Sequence, residues 1–386
     1  KKNTGWQYVQ FGAGYNRHTN FHTKIISEGV NNTSIVNLFA NDGFDVEPAD
    51  LLNNRPFTTN LAYESYAVDF NGSTGQYTPR FNNAGMNHKR TLERFGGIGD
   101  YTVALSGNYK NKLYVGISVN ASRINFEEKI KHVEEIIDTT GGSLLSTEYT
   151  YRLKTNGTGI NAKIGFVYLP FDWLRIGIAL HTPTRTHLTD IWSADMTTVQ
   201  KGENGGTEVF EIDPDYKPTG KYRYNMISPL RGVLSIGAVL GGRWAIGIET
   251  EFVNYGWAKL RTTSDTENYQ SYDYEIKNSE IKTQYGTGYN IRLGLEYLIN
   301  NNWSARVGYA MYTSPYRNTI ENTRTPTMFF SGGIGSTIKI FGIDLSYSAM
   351  SQKEDYYSFD PTQTSNLSEI KRLDHRINLG IYVTFN

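Results

Sequence analysis

The sequence predicts an all-β fold, a transmembrane antiparallel β-barrel of the bacterial outer membrane with about 12 strands visible. Three observations carry that prediction. Apolar and polar residues alternate with period two over segments of about ten residues, short and long connections alternate strictly, and tryptophans gather beside the short ones.

The alternation is plain from Leu113, where the odd positions to Ala121 are apolar and Tyr114, Gly116, Ser118, Asn120 and Ser122 lie between them. It recurs from Ile160 to Tyr168, Leu174 to Leu180, Leu234 to Leu240, Trp244 to Phe252, Tyr289 to Tyr297, Trp303 to Met311 and Ile377 to Phe385. A tilted membrane-spanning strand needs about 9–11 residues, whereas strands in soluble sheets average about 5–6. One face is nearly free of charge, as a lipid face must be, and the other mixes Gly, Ser, Asn, Arg and Glu as a lumen would.

Short turns fall at 110–112, 170–172, 241–242, 300–302 and 339–342. Long segments lie at roughly 17–97, 127–147, 183–220, 259–282, 315–326 and 351–371. That sorting places every short turn on one rim and every long loop on the other, with the short turns periplasmic. Trp6, Trp173, Trp244 and Trp303 flank short turns, and Phe341 and Phe385 hold comparable places. Indole favours the headgroup level, so these residues are expected to form the membrane-interface girdle.

Composition removes other classes. Lys+Arg and Asp+Glu number 38 each, so no global field draws in nucleic acid, and zero Cys excludes disulfides, thiolate metal sites and thiol catalysis. Mean hydropathy is -0.48, and no apolar run approaches the roughly 18 residues of a membrane-spanning helix. The opening Lys1-Lys2-Asn3-Thr4 shows no signal peptide, and Lys1 to Gly5 reads as one more short turn. At least one strand is therefore expected before residue 1, and an even total brings twelve to fourteen.

The stretch Gly165-Phe166-Val167-Tyr168-Leu169-Pro170, Trp173-Leu174-Arg175-Ile176-Gly177, His181-Thr182-Pro183-Thr184 and the later Ser228-Pro229-Leu230-Arg231 resemble the FadL/OMPP1/TodX family of outer-membrane transporters. Phe11-Gly12-Ala13-Gly14-Tyr15-Asn16-Arg17 and Glu28-Gly29-Val30-Asn31-Asn32 are similar to the version found in Bacteroidetes. The resemblance covers essentially the whole chain. It implies a 14-stranded barrel whose N-terminal segment plugs the lumen as a hatch, loops that collect a hydrophobic ligand such as a long-chain fatty acid, and lateral delivery through a kink in the wall. On that reading the hatch segment and first strands are expected to lie outside this chain, so gating residues do not carry over. The alternative is a non-conducting barrel that serves as subunit or scaffold of an outer-membrane secretion or assembly complex. The expected partners are therefore the outer-membrane bilayer, a fatty-acid-like ligand and, on the alternative, other outer-membrane subunits.

Two groups of residues are candidates for binding. Ser34 is placed to cap a short helix holding Ile35, Leu38 and Phe39, Pro48 to open another with Leu51 and Leu52, and Phe44 lies between them. Such a pair of helices would make an apolar groove at the extracellular mouth, where the family's loop helices imply first capture, or would pack together and seal it. On the lumen face, parity points Arg175, Glu249, Glu251, Arg292, Glu296 and Arg306 inward. These form a salt-bridged ladder, or an Arg among them meets a ligand carboxylate.

No cofactor is expected. His18 and His22 would share a face only in a helix, and His132 with Glu134 and Glu135 reads as a solvated loop, so no metal site is expected either. Gly96-Gly97-Ile98-Gly99 and Gly332-Gly333-Ile334-Gly335 mimic nucleotide loops, but no helix follows either. They read as strand glycines where the wall bends or a plug approaches. No nucleophile elbow marks an enzyme.

Overall fold

The computed structural model describes residues 5–82, 85–263, 274–317, 325–338, 340–357 and 367–383. The N-terminal part comprises β1 (Trp6–Asn20), β2 (Thr23–Asn31), α1 (Ile35–Asp42), α2 (Leu51–Asn54), α3 (Thr59–Glu64), β3 (Val68–Asn71) and β4 (Gln76–Pro79). The wall then runs through β5 (Met86–Tyr109), β6 (Leu113–Ile136), β7 (Leu144–Phe171), β8 (Leu174–His181), β9 (Arg185–Lys201), β10 (Thr207–Glu211) and β11 (Thr219–Ile227). It continues with β12 (Arg231–Leu240), β13 (Trp244–Asn254), β14 (Lys259–Arg261), α4 (Glu275–Gln284), β15 (Thr287–Leu298), β16 (Trp303–Tyr312), β17 (Thr327–Ile338), β18 (Phe341–Tyr357) and β19 (Leu367–Val383).

Twelve of these strands meet at the short-turn rim in the order β1, β5, β6, β7, β8, β12, β13, β15, β16, β17, β18, β19, each antiparallel to the next. That agrees with the count expected from alternation. The turns are built from backbone that favours particular residues. Gly241 and Gly242 sit at φ +56° and +63°, and Lys110 and Asn111 at +51° and +56°, the left-handed pair of a tight hairpin. Register then holds parity across the wall, so Leu234, Ile236, Ile246, Ile248 and Leu293 all lie on the outer face and stay exposed. Exposure reaches 71% at Phe11 and 75% at Ile377. So continuous an apolar belt is stable only against lipid. No described helix is long and apolar enough to cross a membrane, so strands do the crossing.

The wall extends well beyond the alternating segments. β5 and β6 have 24 residues each and β7 has 28, so 86–97, 127–136 and 144–147 are strand, correcting the long loops expected there. β2, β9 and β11 likewise fill parts of 17–97 and 183–220. The reason is solvent. Above the bilayer both strand faces meet water or the cap, the apolar alternation lapses, and cross-strand ion pairs take its place. Arg94 reaches Glu128 at 2.7 Å, Lys131 reaches Glu148 at 2.8 Å and Lys24 reaches Glu93 at 2.8 Å.

β1 and β2 are one path along β5, broken at Phe21 and His22 opposite Gly96. Gly96 lies at φ +99°, and a Cβ there would strike the Asn125 carbonyl. Its own carbonyl accepts from the Phe21 amide at 3.1 Å and from Arg17 Nη2 at 2.7 Å. The glycine therefore accommodates the break between β1 and β2 opposite it, while β5 pairs with β6 through this point without a shift of register. The second glycine run lies within β17, whose register is unbroken, and Gly335 leaves room for the Asp344 carboxylate.

The hydrophobic core sits in an extracellular cap. α1, α2, α3 and the β3–β4 hairpin bury Ile35, Val36, Phe39, Leu51, Leu61 and Tyr77 against Met86, Ile136, Leu144, Ala194 and Met196 of the extended wall. Ile136 has the parity of Asn120 and Ser122, which are buried on the lumen side, so the cap covers the continuation of the inner wall. Ser34 caps α1 by accepting from the Val36 amide at 3.0 Å. Pro48 opens a 3-10 turn, Pro48–Asp50, that runs straight into α2.

Candidate functional site

Two structures built by different elements face one another along the barrel axis: the inner wall and the cap. On the inner wall, Arg175, Gly237, Gly247, Gly294 and Gly308 stand side by side on β8, β12, β13, β15 and β16. Four adjacent glycines leave a lateral strip of bare backbone. A Cβ added at Gly247 or Gly294 would meet nothing within 4 Å. Two residues along each strand, the next inward-facing row is Gly177, Ser235, Glu249, Arg292 and Ala310. A cavity of about 500 Å³ lies on this part of the wall, lined among others by Arg175, Ser235, Glu249 and Arg292.

Of the six residues that parity points into the lumen, five form ion pairs among the described residues and one does not. Arg292 bonds Glu249 and lies 3.6 Å from Glu251, which also accepts from Asn290 Nδ2 at 2.9 Å. Arg306 bonds Glu296 and reaches Asp344 at 2.7 Å. Arg292 and Arg306 are thus committed to the ladder that sequence parity allowed. Arg175 is not among them. Its Nη1 is buried without a hydrogen-bond partner among the described residues, at the end of the glycine strip.

In the cap, the six residues expected to line a groove divide by burial. Ile35, Phe39 and Leu51 are spent on the core, at 3%, 4% and 0% exposure, whereas Leu38, Phe44 and Leu52 are exposed at 40%, 59% and 38%. Phe39 packs edge-on to Tyr149 with ring centroids 5.3 Å apart, and burial pushes the Tyr149 hydroxyl up to about 12. Trp6, Trp173, Trp244 and Trp303 all lie at the short-turn rim and are about half exposed; Phe385 lies outside the described residues.

One cluster corrects the sequence reading outright. His132 and Glu134 are fully buried on β6, not solvated, while Glu135 alternates outward and is exposed. Glu134 stands opposite His88 of β5. Burial works to raise the Glu134 carboxyl, but hydrogen bonds from His132, Ser34 and the Ile35 amide hold it below the usual carboxylate range. Burial pushes the His88 ring below the usual imidazole range. His18 and His22 do not join them: His18 faces Asp100 at 3.5 Å from β1, and His22 follows that strand. No period in the sequence pointed to the cluster, because it depends on the register of two strands beyond the alternating region.

A strand wall with an apolar exterior, a polar interior and an extracellular cap defines an integral β-barrel of the outer membrane. The chain belongs to the outer membrane protein transport protein family (OMPP1/FadL/TodX), whose model matches residues 70–376. That family is one of transport proteins, not enzymes, and the chain has its hydrophobic-compound transporter fold. Among solved structures, the chain is similar to a Pseudomonas aeruginosa FadL homologue at 13% identity, over 96% of this chain and 85% of that one, with a TM-score of 0.46. It is similar to the P. putida toluene transporter TodX at 12% identity, over 98% and 90%, TM-score 0.46. A third is the Ralstonia pickettii toluene transporter TbuX at 13% identity, over 89% and 95%, TM-score 0.41. No curated protein matches.

Proposed function

We propose that the chain passes long-chain, fatty-acid-like amphipathic molecules passively across the outer membrane. The observation that carries this reading is Arg175, a guanidinium with an unpartnered buried nitrogen at the end of a glycine strip on the inner wall. A carboxylate is the natural partner of that group, through charge-assisted hydrogen bonds that a Lys would not match geometrically. The strip beside it lets an alkyl chain lie on backbone without obstruction. Leu38, Phe44 and Leu52 offer apolar surface for capture above it, and Trp6, Trp173, Trp244 and Trp303 hold the opposite rim at the headgroup level.

Uptake of a fluorescent fatty acid into vesicles carrying the full chain tests the reading. Arg175→Met is expected to slow fatty-acid uptake by about tenfold, since a charge-assisted bond is worth about 1.5–3 kcal/mol, and to leave uptake of an uncharged hydrocarbon unchanged. Equal loss for both compounds would show that Arg175 shapes the lumen and does not read the carboxylate. Leu38→Asp with Leu52→Asp is expected to abolish capture with normal insertion, because both side chains are exposed and their replacement spares the core. No transport by the wild type, with stable co-purifying subunits, would favour a scaffold.

A further inference from the structure

We propose that His88, His132 and Glu134 form a zinc site that clamps the cap onto the wall. The three ligand atoms converge: His132 Nε2 lies 2.9 Å from Glu134 Oε1, His88 Nδ1 lies 3.4 Å from the same oxygen, and the two ring nitrogens are 3.4 Å apart. Zinc bound tetrahedrally at about 2.0–2.2 Å holds neighbouring N and O ligands roughly 3.3 Å from one another. The observed triangle is already close to that spacing. Two imidazoles and one carboxylate form a donor set that suits Zn²⁺ and does not suit Ca²⁺ or Mg²⁺, which take oxygen ligands.

The backbone sets this triangle. His132 and Glu134 are two apart on β6 and so share its inner face, and antiparallel register brings His88 opposite Glu134. The outer contacts are of the kind that orient ligands. Glu134 Oε2 accepts from Ser34 Oγ, and Oε1 accepts from the Ile35 amide at 2.8 Å. Through Ser34 and Ile35 the carboxylate grips the first turn of α1. A metal here would fix the β5–β6 hairpin and the start of the cap as one unit. The role is structural, because all three side chains are nearly or wholly buried.

The test uses the full chain in detergent, stripped with a chelator and loaded with zinc chloride or cobalt chloride. The expected result is about one retained zinc per chain after dialysis, and a visible cobalt spectrum of tetrahedral intensity. His88→Asn and Glu134→Gln should each lose both signals. Zinc should also slow proteolysis within 35–82 in the wild type and not in the variants. No retained zinc and no cobalt spectrum in the wild type would overturn the proposal without reference to any variant. Equal retention by His88→Asn and Glu134→Gln would overturn it as well, because the metal would then lie elsewhere.

Discussion

Leu51→Ala is expected to open the extracellular cap about a hundredfold more often while the barrel stays inserted. Leu51 has no exposed surface and lies at the centre of the cluster made by α1, α2, α3 and the extended wall. Truncating a buried leucine costs about 2–5 kcal/mol, and a hundredfold corresponds to about 3 kcal/mol of that. The cap is held to the wall by this one shared core, whereas the membrane-crossing strands are held by their own pairing, so the loss falls on local opening before it reaches the whole fold. Limited proteolysis of intact outer membranes reads the opening rate, and the heat needed to unfold the barrel on a gel reads the wall. Faster cleavage within 35–82 at an unchanged barrel transition is the expected outcome. A fall in both together would mean that cap and wall unfold as one body.

The second large effect is a blockade of the lumen. Gly247→Leu combined with Gly294→Leu should reduce fatty-acid uptake by at least tenfold, the effect of adding about 1.4 kcal/mol to the barrier. These two positions are chosen because a Cβ meets nothing there within 4 Å, so the side chains enter open space and strand pairing is untouched. Gly308 would not serve, because a Cβ there comes within 2.6 Å of Ser331 Oγ. Insertion and heat stability should match the wild type. Undiminished uptake by the double variant would remove the glycine strip from the path and leave Arg175 without its proposed role.

These expectations rest on two kinds of knowledge with different origins. Where strands cross lipid, the solvent is uniform on one side and every second residue must be apolar, so the pattern Leu113, Val115, Ile117, Val119 is enough to reveal strand, face and span. The short turns are similarly local, because Gly241 and Gly242 are suited to a left-handed pair that most residues avoid. Ser34 and Pro48 marked their helical turns by the same kind of chemistry. The inward parity of Arg292 and Glu249 was legible too, but their pairing required the register of β13 against β15.

Beyond the bilayer the period-two pattern disappears. In Glu127 to Ile136 charged and apolar residues mix without a period, and only the neighbouring strands show that the segment continues as sheet. Sequence alone assigns His132 and Glu134 to solvent because polar residues in a loop meet water, yet both are buried beneath the cap. The sequence by itself determined the barrel, the side of the membrane on which each connection lies and the charges that face the lumen, because lipid and backbone geometry act on each residue locally. The tertiary structure alone decided the length of the wall, the covering of its mouth and the meeting of His88 with His132 and Glu134. Those depend on contacts between segments distant in the chain, and a periodicity has no means of recording them.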